Sequence, residues 1–126
     1  MNINLTFSQS SGIITDDYGT YVAMGWSGNH LGKCNPKMQD IHNVGPLPAG
    51  VYRIGPWEEH HDHLGPLVAS LTQISGETFG RDSFYIHGPD KDPKNFGQES
   101  KGCIVVPRPG RENIKKTGAT HITVRA

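Results

Sequence analysis

His87 and Cys103 are separated by fifteen residues in the run FYIHGPDKDPKNFGQESKGCIVV, where the histidine closes one apolar stretch and the cysteine precedes another. A cysteine attacks as its thiolate, and a neighbouring imidazole generates that species by taking the proton. Acyl transfer also needs N–H groups aimed at the oxyanion that develops. In Ser100-Lys101-Gly102-Cys103-Ile104 the glycine permits a sharp turn, which can aim the amides of Gly102 and Cys103 at one point. His87 is followed by Gly88-Pro89, so its strand ends there and its ring can sit at a sheet rim. Two neighbouring strand ends would bring the side chains within reach, and the DKDPKNFGQES segment is long enough to wall a groove. The residues alone leave two other readings open. Cys103 can be a small buried apolar group beside a strand-end histidine, or it can pair with Cys34 in a disulfide that removes the thiol.

Other groupings are weaker. Glu58-Glu59-His60-His61-Asp62-His63 could offer zinc two imidazoles, from His61 and His63, and a carboxylate, but the spacing matches no strong zinc pattern. Adjacent Gly65-Pro66 marks a surface loop instead. Cys34 with His30 and His42 is spaced less favourably still, so neither a metal nor any other cofactor is expected. Tyr85 and Phe96 bracket the His87 segment and could line a groove, as could Trp26 and Trp57. Arg81, Arg108 and Arg111 are candidate carboxylate anchors, because guanidinium pairs with carboxylate through two parallel hydrogen bonds.

The elements that must position these residues read as short strands and tight turns. Glycine and proline supply 16 and 9 of 126 residues, and 34% are hydrophobic, which suits many short strands better than long helices. Alternation predicts strands at Asn2–Phe7, Ile13–Thr15 and Thr20–Trp26, a meander turned at Ser10-Ser11-Gly12 and Asp16-Asp17-Tyr18-Gly19. Gly45-Pro46-Leu47-Pro48-Ala49-Gly50 is a rigid turn feeding a strand at Val51–Ile54. Further strands are expected at Leu67–Ile74, Ser83–His87, Ile104–Val106 and His121–Arg125, with a helical turn near Pro36–Ile41 and a short helix at Arg108–Lys116. The fold class is therefore mainly β, a small sandwich or barrel with one or two short helices, and residues 1–126 form one domain.

Charge excludes some partners. Twelve basic residues balance twelve acidic ones without a basic cluster, so nucleic acid is not expected as a ligand. No apolar run is long enough for a membrane-spanning helix. The start MNINLTFSQSSG lacks the basic and apolar regions of a signal peptide, so synthesis in a cytoplasm and export by another route are expected. Nothing in the pattern demands more than a monomer.

The order of motifs resembles the L,D-transpeptidase effectors of type VI secretion systems, distant relatives of the YkuD-type L,D-transpeptidases. The matching stretches are SQSSG, GWSG at 25–28, GPLPAGVYRIG at 45–55, GRDSFYIHG at 80–88 and SKGCIVVPRPGRENI at 100–114. They span nearly the whole chain, and the pairing of IHG with S-x-G-C-I is the specific part. The resemblance implies a YkuD-like mixed fold and an enzyme acting on peptidoglycan tetrapeptide stems. Cys103 would be the nucleophile that expels the terminal D-alanine through an acyl-enzyme, with His87 as base and then acid. Gly102 and Cys103 would donate oxyanion amides, Ser100 would support the loop, and the Gly88 backbone would orient the imidazole. Tyr85, Phe96, Arg81, Lys101 and Arg108 would contact substrate. Delivery by a secretion system or phage into a target cell's periplasm, an antibacterial role and a cognate immunity protein are also implied. The alternative is a non-catalytic wall-binding or phage structural module on the same fold. Lys101 and Val105 stand where the broader YkuD group keeps histidine and arginine, which favours the effector branch.

Overall fold

A computed structural model of the chain describes residues 3–90 and 100–126. β1 (Asn4–Ser8), β2 (Ile13–Thr15) and β3 (Tyr21–Met24) form the expected antiparallel meander, with Phe7 opposite Ile14 and Ile14 opposite Ala23. Alternation sends Leu5, Phe7 and Ile14 into the core. β9 (His121–Arg125) lies parallel to β1 and adds Ile122 and Val124 beside Leu5 and Phe7. β4 (Trp26–Ser27), β5 (Gly50–His61), β6 (Gly65–Gly76), β7 (Phe84–His87) and β8 (Ile104–Val105) complete a nine-stranded mixed sheet of order β3-β2-β1-β9-β5-β6-β7-β8-β4.

The two edges of that sheet, β3 and β4, are separated in sequence only by Gly25, so the sheet curls round one core. Gly25 sits where the edges cross: its N–H donates to Gly12 O at 2.9 Å, and a side chain there would overlap the Val105 carbonyl. Only glycine leaves room for this approach. α1 (Arg108–Thr117) closes the core with Ile114 and ends at Gly118, whose φ of 69° suits the left-handed residue that stops a helix. Tyr52 and Phe84 meet edge-on in the interior, 5.9 Å between ring centroids. The mainly β architecture with little helix is as expected.

Two local expectations are corrected. The predicted strand Thr20–Trp26 breaks at Gly25 into β3 and β4. The acidic and histidine-rich stretch 58–63, expected as a loop, mostly continues β5 to His61. Its ladder to β6 persists from Glu58 to His61 after leaving the core, so polar residues occupy both faces and the apolar alternation vanishes. β7 and β8 pair in parallel, Ile86 opposite Ile104 and His87 opposite Val105, so the stretch carrying His87 and Cys103 is no hairpin.

Candidate active site

Ile86 and Ile104 turn into the core, which sends His87, Tyr85 and Val105 to the other face of the β7–β8 pair. Cys103 immediately precedes β8, and continuing the register by one residue places it beside Tyr85. The fold therefore brings His87 and Cys103 onto adjacent parallel strands, two residues apart along the ladder.

The turn before Cys103 is held from beneath. Ser100 is fully buried, and its hydroxyl donates to Cys103 O at 2.5 Å while accepting the N–H groups of Gly28 (2.8 Å) and Gly102 (3.2 Å). Ser27 Oγ donates to the same Cys103 carbonyl at 2.8 Å and accepts Leu47 N–H at 2.7 Å. Asn29 Nδ2 bridges Ser100 O and Asn43 O, both at 2.7 Å. The resemblance implies Ser100 as loop support, and these bonds run through its hydroxyl, whereas Ser27 and Asn29 were not singled out. Their signal was the GWSGN segment itself, polar residues in a stretch otherwise reading as strand.

The same bonds bear on the two amides expected to face an oxyanion. The Gly102 N–H is taken by Ser100 Oγ, while no described residue accepts the Cys103 N–H. Gly102 serves the turn through its shape instead, since its φ is 123° and a Cβ there would overlap Arg81 Nη2. The Cys103 amide is thus the turn's available donor among the described residues.

His87 is 5% exposed, and its Nδ1 lies 2.8 Å from Gly88 O. A carbonyl only accepts, so Nδ1 carries the proton of the neutral ring and Nε2 keeps its lone pair. The Cys103 thiol donates to Ser83 O at 3.7 Å. Burial pushes the thiol up to about 11, against the pull of the Tyr85 backbone N–H, which hydrogen-bonds the sulfur, and of the Arg81 charge. Burial thus favours the neutral thiol form of Cys103. Cys34 is also a free thiol, so the alternative disulfide is not formed.

The remaining site residues divide. Tyr85 stands beside Cys103, with its ring 5.2 Å from His61. Lys101 is exposed. Arg108 lies on the surface of α1, paired with Glu112 at 3.0 Å. Arg81 is not a surface anchor: it is 6% exposed, and its Nη groups donate to the carbonyls of Gln39, Gly45, Pro46 and Lys101. All four Nη protons are used, which leaves no fork for a carboxylate. Arg111 is likewise buried and bonded to main chain. Phe96 lies outside the described residues. At the β5–β6 tip, Glu58, His60, His61, Asp62 and His63 line an open depression of about 290 Å³. His61 Nδ1 there accepts the amides of His63 (3.1 Å) and Leu64 (3.2 Å), and no three potential ligands are grouped for a metal among the described residues.

Residues 21–124, most of the chain, match the model of the Tlde1 domain. The chain belongs to the Tlde1 domain family. This is the L,D-transpeptidase-like effector family that the IHG and S-x-G-C-I motifs resemble. The fold is similar to that of an L,D-transpeptidase from Mycobacterium tuberculosis H37Rv, with TM-score 0.59 and 17% identity over 98% of this chain and 57% of that one. It is also similar to L,D-transpeptidase 3 of M. tuberculosis in complex with a faropenem-derived adduct (TM-score 0.57, 15% identity, 98% and 60% covered). A third similar structure is the L,D-transpeptidase of Xylanimonas cellulosilytica DSM 15894 (TM-score 0.57, 14% identity, 98% and 60%). At such identities the likeness is one of fold, and this Tlde1-domain chain spans less than two thirds of the length of those chains. No curated protein matches the chain.

Proposed function

We propose that the chain is a cysteine acyl-transfer enzyme of peptidoglycan, an L,D-transpeptidase or L,D-carboxypeptidase acting on tetrapeptide stems. The observation that supports this reading is that His87 and Cys103 lie at adjacent strand ends, with the imidazole Nδ1 donating to Gly88 O; in this reading Nε2 serves as the base. In the reaction, the thiol turns from Ser83 O toward His87 Nε2 and gives up its proton. The thiolate adds to the carbonyl of the diamino-acid residue that precedes the terminal D-alanine. The Cys103 N–H donates to the resulting oxyanion. Collapse breaks the peptide bond, and the imidazolium returns its proton to the departing D-alanine amine. Water then releases a tripeptide, or an amine takes the acyl group; either restores the thiol. Tyr85, beside the sulfur, is the substrate contact best placed among those named from sequence.

Membership of the effector family supports delivery into a target cell, where the single domain acts in the periplasm as an antibacterial toxin and an immunity protein blocks its groove. Incubation with purified muropeptides, followed by mass spectrometry, tests the chemistry. Tetrapeptides are expected to lose or exchange the terminal D-alanine, and Cys103→Ala and His87→Ala should each lower that rate by at least about 10³-fold. A wild-type protein that leaves tetrapeptides intact would return the chain to the class of non-catalytic wall-binding or phage structural modules.

A further inference from the structure

Each residue of the candidate pair adjoins a glycine, and each glycine has a buried guanidinium packed behind it. Arg81 lies behind Gly102, and Arg111 lies behind Gly88. The first of these has a complete set of main-chain acceptors on its Nη groups, which explains its burial by the turn alone. The second does not, among the described residues.

Arg111 projects from α1 and is 5% exposed. Its Nη1 donates to Pro66 O at 2.5 Å and Leu67 O at 3.1 Å. The β6–β7 register ends at Ala69 opposite Ile86, so two more steps would set Leu67 opposite Gly88. Leu67 instead adopts a φ of 55°, a left-handed conformation that a leucine rarely takes, and its carbonyl goes to the guanidinium. Arg111 thus stands where the ladder stops, between the start of β6 and the end of β7. Against Gly88 it is in full contact: a Cβ on that residue would fall 2.5 Å from Nη2 and 2.6 Å from Cζ. Its Nε is buried without an acceptor among the described residues. A buried donor left without an acceptor is a cost that packing alone does not require, because an aliphatic chain would fill the same space.

We infer that Arg111 is a positioning residue for His87: packed behind Gly88 and tied to β6, it fixes the Gly88 carbonyl that holds the imidazole in its Nδ1–H tautomer. The preceding peptide unit is held independently, since Val106 N–H donates to His87 O at 2.9 Å. With both neighbouring carbonyls fixed, the Nδ1–H tautomer is held in place, and in this reading Nε2 is the proton acceptor. The inference deepens the proposed acyl-transfer reading and rests on it for its catalytic meaning, though not for its structural test.

That test is the ¹⁵N spectrum of the histidine imidazoles, with the His87 signals identified by their loss in His87→Gln. Wild type is expected to show neutral His87 protonated at Nδ1; protonation at Nε2 instead overturns the proposal without any variant. In Arg111→Met, which keeps the volume and removes the fork, the two tautomers should mix. The muropeptide kcat should fall about tenfold while KM stays within about twofold, the split expected when only the transition state loses an interaction. Arg111→Lys should recover only part of the loss. A folded Arg111→Met with the wild-type tautomer, showing only a lower melting temperature, overturns the inference. If that variant does not fold, Gly88→Ala serves, since its Cβ must displace the guanidinium; an unchanged tautomer there is equally decisive. A tautomer shift in a protein that never processes muropeptides would uphold the positioning role and sink the acyl-transfer reading.

Discussion

Cys103 sits where its thiol is hard to ionise, and this sets how it reacts. With the thiol held up at about 11 by burial, roughly one molecule in 10⁴ carries the thiolate at pH 7. Alkylation by iodoacetamide should therefore be slow at neutral pH and should climb about tenfold per pH unit until it levels near 11. A plateau reached by pH 8 would mean that the sulfur is already activated at rest. The same residue shows what spacing can reveal. Cysteine and histidine types, with glycine beside each, made thiol chemistry one of the readings open before any fold was known. Which amide could serve an oxyanion was not legible, because it depends on Ser100 Oγ taking the Gly102 N–H, a contact between a hydroxyl and an amide two residues on.

At the level of elements, the turn before Cys103 is set by β4 as much as by its own strand. Ser27 and Asn29, flanking Gly28, supply buried hydrogen bonds to Cys103 O and Ser100 O. Ser27→Ala and Asn29→Ala should each destabilise the fold by about 1–3 kcal/mol, since each leaves buried polar groups unpaired. Urea denaturation measures this, and a change within about 0.5 kcal/mol for either would remove that residue from the clamp. Strand propensity could suggest β4 and β8 separately. Their pairing, Trp26 with Val105 and Ser27 with Ile104, joins residues distant in the chain and left no local signal. The β5–β6 tip failed for the opposite reason: polar residues read as loop, yet cross-strand hydrogen bonds carry the ladder past the core without help from apolar side chains.

For the whole molecule, two buried acids tie stability to pH. Burial raises Tyr52 to about 12, against the pull of its Gln73 hydrogen bond and the Arg81 charge, and burial raises Cys103 to about 11. The unfolded chain releases these protons at lower pH, near the ordinary values of 10 and 9. Their contribution is therefore complete below about pH 9 and is lost as pH rises through about 11 and 12. Urea midpoints should fall between pH 8 and pH 10.5, and Tyr52→Phe should flatten that fall; midpoints that hold or rise would contradict the assignment. The sequence by itself determined the fold class and most strand positions, and offered His87 and Cys103 as a candidate pair, because alternation, turn residues and side-chain chemistry are local properties. Only the tertiary structure decided that β7 and β8 run parallel, that Gly25 joins the sheet's two edges, and that Arg81 and Arg111 are buried braces. Those outcomes depend on which distant carbonyls and side chains share a buried space. The competition for hydrogen bonds inside that space is settled only when the whole sheet has closed.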